Sequence, residues 1–382
     1  MIKILYICVS GKGGSNYALL STLGELKSRG IIPLIVVPDR DTAEFYEVNG
    51  FQTQVVYMRQ EVLPSYKTLK SLLLFLPILL YNYVINYVAN IILKKICLSF
   101  SPDIIHSNVT VTTIGYKLSK RYQIPHVWHI REYVQRPMLG KRRLSTLLND
   151  SNTILVTKGL KDFYNIGDLY TEVIYDGINY SGDVKEERQI LSDRYFVCVG
   201  RVTHAKGIDL LIDAFGLFAE KYGNVDLVLI GEGKPEYISS KKSELQNLGI
   251  LDRVHFLGYK EHSATMNYMK NALALVVPSL SEGFGLITAE AMFNGCLVIG
   301  NDNTGTKEQF DNGVTVTGRE IAVRFADSEG LLKAMCEVAS LGKEHYDKMI
   351  EDAYITVNRL YTLQVNADKV CNYYKRLTKK GI

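Results

Sequence analysis

Two Rossmann-like α/β domains in one chain are the fold that the sequence predicts, and three observations carry it. The 382 residues exceed one ordinary core, which holds about 100–200 residues. Short β-rich apolar runs alternate with helical segments, the rhythm of a parallel sheet covered on both faces. That rhythm pauses once, in the polar stretch NYSGDVKEERQILSDR, and then begins again. The expected domains are therefore 1–180 and 181–360, with a linker near 180–193 and a final helical stretch in 361–382 that no strand follows.

In order, IKILYICVS reads as a buried strand, and GKGGSNYALLSTLGELKSRG as a glycine turn and an amphipathic helix that stops at Gly30. The series continues with IIPLIVVP, TQVVYM, PDIIHSN, IPHVWHI, NTILVT and EVIYDGI. The second domain repeats it with YFVCVG, a turn, the helix GIDLLIDAFGLFAEKYG, and then VDLVLIG, VHFLGY, ALALVVPS and CLVIGN. Two such sheets in one chain predict a cleft at their carboxyl ends, where open α/β sheets bind ligands.

Composition narrows the class. Apolar residues make up 47% of the chain, enough for two packed cores. Cys8, Cys97, Cys198, Cys296, Cys336 and Cys371 form no CxxC pair and no metal-spaced cluster, so reduced thiols, no structural zinc and a cytoplasmic setting are expected. MIKILYICVS runs directly into Gly and Lys, unlike a signal peptide. The net charge of +4 is uneven: residues 1–180 hold 20 Lys+Arg against 13 Asp+Glu, the remainder 24 against 27. A basic first half points to an anionic surface or substrate. No recognised nucleic-acid module accompanies it, so nucleic acid is not expected as a partner.

The candidate site begins with SLSEGFGLITAE, residues 279–290. ALALVVPS before it is a central strand, so Glu282 falls on the loop at its carboxyl end, and LITAEAMFNG is a helix ending at Gly295. The amides of Phe284, Gly285 and Leu286 then stand at a helix N-terminus, which favours an anion. Gly283 and Gly285 let a ligand approach the backbone. Glu290, a further turn along, can accept hydrogen bonds from a ribose diol, and Glu282 from a sugar; as a cap and a surface charge the two would do neither. VGRVTHAKGIDLL places Arg201 and Lys206 at another strand end, where two cations suit a diphosphate. VLIGEGKP adds Gly231 and Gly233 at a third.

These motifs resemble the C-terminal domain of glycosyltransferase family 4, retaining enzymes of the GT-B fold, in order and spacing over about residues 195–310. The first half is similar more weakly, through GGSNYALLSTLGELKSRG, PDIIHSN, PHVWHI and VIYDGIN. The resemblance implies that Arg201 and Lys206 hold the diphosphate of a UDP- or GDP-sugar and that Glu290 holds its ribose. Glu282 and the amides of Phe284, Gly285 and Leu286 would take the sugar and distal phosphate, and the segment at Leu257 and Tyr259 would read the base. Gly13 and Gly14 match the glycine loop facing the diphosphate, and His129 a histidine near the transferred sugar. The final helix resembles the family tail that crosses back to the first domain. Two positions depart from the pattern: Asp176 stands where Asn is usual, and NTGTKEQF replaces a double-glycine turn before Glu308.

The implied chemistry needs no metal or cofactor. Charge grows on the departing diphosphate, and fixed cations with helix amides stabilise it. The one DxD triplet, Asp39-Arg40-Asp41, reads as a solvated loop, and His106 as a structural histidine. A nucleotide-sugar epimerase of the same fold and a non-catalytic partner subunit are the alternatives. An NAD-dependent oxidoreductase is weak, because Gly11, Gly13 and Gly14 miss the GxGxxG spacing.

SLLLFLPILLYNYVINYVANIIL, residues 71–93, has no charge and the length of a membrane span. Pro77 interrupts it and Asn82, Asn86 and Asn90 recur at helical spacing, so one or two partly buried helices are expected. Lys67, Lys70, Lys94 and Lys95 flank the run, and Lys141, Arg142 and Arg143 lie beyond it. Peripheral contact of residues 67–95 and 141–143 with the inner face of the membrane is the corresponding expectation, with a glycan or lipid-linked acceptor.

Overall fold

The computed structural model describes residues 1–63, 75–178 and 194–379. The expected linker, residues 180–193, and Lys67 and Lys70 lie outside the described residues. Contacts divide the chain into two compact units, Met1–Gly177 with Leu363–Ile382, and Ile178–Thr362.

Unit 1 is built on a seven-stranded sheet in the order β3-β2-β1-β4-β5-β6-β7. Its strands are β1 (Ile2–Ile7), β2 (Ile31–Val37), β3 (Thr53–Val55), β4 (Ile104–Ser107), β5 (His126–Ile130), β6 (Asn152–Leu155) and β7 (Thr171–Val173). Every described pairing is parallel, with Tyr6 opposite Ile35 on one side and His106 on the other. Strand periodicity sends Ile4, Tyr6 and Cys8 into one core cluster and Leu5 and Ile7 into the other. The final helix, Leu363–Lys379, packs on helix Gly14–Ser28 and buries Tyr374 against Tyr6 and His106, its hydroxyl 3.2 Å from the first and 2.8 Å from Nδ1 of the second.

From Phe75 on, the apolar run of unit 1 forms one helix, Phe75–Phe100, residues 71–74 lying outside the described ones. Within the described residues Pro77 does not interrupt it. By length and composition this helix could cross a membrane.

Unit 2 carries a six-stranded parallel sheet in the order β10-β9-β8-β11-β12-β13. Its strands are β8 (Tyr195–Val199), β9 (Asp226–Ile230), β10 (Val254–Gly258), β11 (Ala274–Val277), β12 (Val298–Asn301) and β13 (Val323–Phe325). The sequence reading missed β13, whose three residues include a charge. Arg324 sits there among Asp302, Asp311 and Glu320, and one apolar residue on each side of an arginine is too short a pattern to mark a strand. Strand order places β8 beside β11, so loops about 80 residues apart in sequence leave neighbouring strand ends.

Candidate functional site

In unit 2 the loops after β8 and β11 are joined at three points. Leu280 donates its backbone N–H to Ala205 O at 3.1 Å. Gly207, at φ +70, lies so close to Pro278 that a Cβ would stand 1.9 Å from the Pro278 carbonyl oxygen. Lys206 Nζ meets Glu282 Oε1 at 2.5 Å. Sequence reasoning put both side chains on a ligand and missed that they hold each other. The Lys206 side chain is 31% exposed while that of Glu282 is 13% exposed, so the ammonium lies on the solvent side of the pair and within reach of an anion. Arg201, on the same loop, is exposed and has no hydrogen bond or ion pair among the described residues.

The loop Glu282–Gly285 is pinned from behind by helix Thr304–Thr317. Glu282 N donates to Thr304 Oγ1 at 2.9 Å and Gly305 N to Glu282 O at 3.1 Å. Gln309 Nε2 donates to Phe284 O at 2.6 Å and Gly285 O at 3.1 Å. Gly305 is required here, since a Cβ would come within 2.3 Å of Gly283 O. Thr304 explains the departure from a double-glycine turn: it adopts φ +43, a conformation that disfavours β-branched residues, and its hydroxyl holds the Glu282 amide. Thr288 N donates to Gly285 O at 3.0 Å, while the N–H groups of Leu286 and Ile287 at the start of helix Leu286–Phe293 have no intrahelical acceptor and offer an anion site. The Phe284 ring itself is buried edge-on against Tyr361, so only its backbone can serve a ligand.

Glu290 Oε1 lies 3.1 Å from His262 Nε2, a partner no sequence signal announced. The hydrogen bond to Glu290 raises the His262 pKa, against the opposing effect of burial. Gly231 is required by the chain itself: at φ +140 its absent Cβ leaves room for Gly200 O, 2.0 Å from where it would stand. Tyr259 is exposed just past β10.

In unit 1, Gly13 caps helix Gly14–Ser28 in extended conformation with open space at its Cβ position. Asn16, fully buried, braces this loop by donating to Val9 O and Gly11 O at 2.9 and 2.6 Å. His129 on β5 is buried. Arg131 Nη2 stands 3.3 Å from its Nδ1, and a guanidinium only donates, so Nδ1 accepts and the proton resides on Nε2. That nitrogen is buried with no hydrogen-bond partner among the described residues. Burial, then Arg131 and His106, depress the His129 pKa and keep the ring neutral.

Arg131 is itself buried, paired with Asp176 and donating through Nε to Asn108 Oδ1 at 3.0 Å. Asn108 in turn donates to Ser15 O at 3.0 Å. One polar chain thus runs from the glycine loop to His129 and Asp176. Asp176, the other departure from the family pattern, is the counter-charge of Arg131. Burial raises its pKa while Arg131 opposes the rise. Sequence reasoning missed Arg131 and Asn108; the available signal was a cation directly at the carboxyl end of HVWHI. Glu132, the next residue, is pushed up to about 7 by burial.

Asp39 is not a solvated loop residue. Its carboxylate caps helix Arg40–Glu47, accepting from Thr42 N and Oγ1 at 2.8 and 2.7 Å. Among the described residues no group of three or more His, Cys, Asp or Glu is placed to hold a metal ion. A cavity of about 430 Å³ opens at the carboxyl ends of β1 and β2, with Ser10, Pro38, Arg59, Ile78, Asn82 and Thr112 in its wall.

Residues 183–356 match the family described as glycosyl transferases group 1. An uncharacterized glycosyltransferase of Methanocaldococcus jannaschii is 28% identical over 261 residues, 66% of each chain. The O-antigen chain mannosyltransferase RfbU of Salmonella typhimurium is 30% identical over 179 residues, 46% of this chain and 47% of its own. The chain thus spans about half to two thirds of the length of these curated relatives. Among solved structures, Anabaena HepE in complex with UDP and glucose superposes with a TM-score of 0.76 at 18% identity, covering 98% of this chain and 100% of that one. That likeness extends the GT-B fold over both units.

Proposed function

We propose that the chain, whose residues 183–356 match the family described as glycosyl transferases group 1, is a retaining, metal-independent glycosyltransferase. It moves a sugar from UDP or GDP to an acceptor hydroxyl on a lipid-linked glycan or surface polysaccharide precursor. The observation that carries this reading is the convergence, on neighbouring strand ends of unit 2, of the unpaired Arg201, the Lys206–Glu282 pair and the N-terminus of helix Leu286–Phe293.

In this reading Arg201 and the released Lys206 neutralise the diphosphate. The N-terminal amides take the distal phosphate, and Glu282 becomes free to accept hydrogen bonds from the sugar. Glu290 exchanges His262 for the ribose diol. His129 acts as a neutral Nε2–H donor to a ligand oxygen and not as a base. The acceptor oxygen bonds to the anomeric carbon on the face from which the bond to the phosphate oxygen breaks. The acceptor proton passes to that phosphate oxygen, leaving a glycoside and a nucleoside diphosphate. Because charge develops on the leaving group, contacts that strengthen with it lower the barrier. RfbU supports a surface-glycan acceptor, and HepE, solved with UDP and glucose, supports a nucleotide donor.

Thermal shift against UDP, GDP and ADP tests the reading, since a ligand bound only by the folded chain at 100 times its Kd stabilises by about 2.7 kcal/mol. A rise with UDP or GDP, reduced by Arg201→Ala, is expected. No rise with any of the three, at concentrations in the millimolar range, would refute it.

A further inference from the structure

Helix Phe75–Phe100 has its polarity reversed. Its buried residues are Asn82, Asn86, Ala89, Leu93 and Cys97, a stripe at helical spacing. Asn86 serves there as a surrogate strand partner: its Oδ1 accepts from Arg59 N at 2.9 Å and its Nδ2 donates to Arg59 O at 3.0 Å. Asn82 Oδ1 receives Arg59 Nε at 3.4 Å. Leu76, Leu80, Tyr83, Tyr87, Ile91 and Leu98 form a second stripe, 47% to 73% exposed, which Val84 and Val88 widen. At about 3.6 residues per turn the centres of the two stripes lie about 120° apart around the helix, with Val84 and Val88 extending the second toward the side opposite the first. Over the first half of the helix, asparagines inward and an apolar face outward invert the arrangement that water imposes, and no described residue covers that face, which calls for a cover other than water.

The occupant is set by length, charge and aromatic content. Although the helix is long enough to span a bilayer, its inner stripe is fastened to unit 1 from Asn82 to Cys97, so it cannot stand across one without leaving its own domain. Residues 75–100 contain no Asp or Glu, and Lys94 and Lys95 stand near the C-terminal end, Lys95 exposed. A second copy would bring those same lysines to the contact, whereas anionic headgroups complement them. Tyr81, Tyr83 and Tyr87 are all half exposed or more, and tyrosine is the side chain that places an apolar ring and a polar tip at a membrane surface.

We propose that unit 1 seats on an anionic bilayer through this outer face, with the helix lying in the interface plane. The purpose of the seat rests on the transferase reading, because a lipid-borne acceptor would be met where it resides. The test reads docking without turnover, so either can fail alone.

Trp128, the single tryptophan, is fully buried, so Tyr83→Trp adds a reporter on the outer face. Vesicles of phosphatidylcholine with phosphatidylglycerol, at low salt, should shift its emission to the blue and brominated lipid should quench it. Adding Leu80→Glu and Tyr87→Glu, both at exposed positions, should leave the melting temperature and UDP or GDP binding unchanged while weakening vesicle binding at least tenfold, roughly the scale of two negative charges held against an anionic surface. Three results would overturn the proposal. One is no blue shift with these vesicles. Another is binding that the two glutamates do not weaken. The third is a concentration-dependent dimer in sedimentation that the glutamates dissolve, which would make a second copy the cover.

Discussion

Replacing Gly207 with alanine should separate the two loops that build the proposed donor site. Gly207 sits at φ +70, and its Cβ would stand 1.9 Å from Pro278 O and 2.6 Å from Pro278 C. The left-handed backbone costs an L-residue about 1–2 kcal/mol, and forced overpacking adds about 1–3 kcal/mol. Reduced freedom of the unfolded chain returns about 0.4–1 kcal/mol. The expected loss is about 1–5 kcal/mol, or roughly 2–20 °C in melting temperature for a unit of this size. Both of these atoms are backbone, so relief must come from moving the β11 loop, and the Leu280–Ala205 bond and the Lys206–Glu282 pair go with it. Nucleotide affinity, by calorimetry, should therefore fall by about tenfold or more, as expected when one hydrogen bond to a charged group is lost. Gly223→Ala is the control, because nothing lies within 4 Å of its Cβ position. A Gly207→Ala protein that melts with the wild type and binds nucleotide unchanged would refute the view that this contact organises the site.

Arg201→Ala should weaken UDP or GDP binding about 10- to 100-fold by calorimetry, the value of a charge-assisted hydrogen bond; unchanged affinity would remove Arg201 from the phosphate. Wild type should prefer UDP or GDP over the 2′-deoxy nucleotide, and Glu290→Ala should abolish that preference. Because Glu290 raises the His262 pKa, stability from this pair is full below the unfolded histidine value of about 6.5 and is lost as pH rises through the folded value. In Glu290→Gln the His262 NMR titration midpoint should move down toward the ordinary value. Arg131→Met leaves Asp176 buried without its cation and should cost about 3–5 kcal/mol in urea unfolding, part of which Asp176→Leu in the same chain restores.

What the sequence determined by itself was local and periodic. Runs such as IKILYI and ALVV are buried strands because no other arrangement hides so much apolar surface, and the glycines after them mark where the chain turns. Those two facts put Arg201, Lys206, Glu282, Glu290, Gly13 and His129 at or near strand ends before any coordinate was known. Tertiary structure decided what each side chain touches there. Lys206 and Glu282 meet because β8 lies beside β11 in the sheet, an order set by packing and absent from linear spacing. Thr304 holds a left-handed turn because the Glu282 amide needs its hydroxyl. Arg131 is paid for by Asp176, 45 residues away. The asparagines of helix Phe75–Phe100 face inward because the backbone of Arg59 offers both a donor and an acceptor. Helical spacing showed that those residues share a face; only the fold could say that the polar face is the one turned away from solvent.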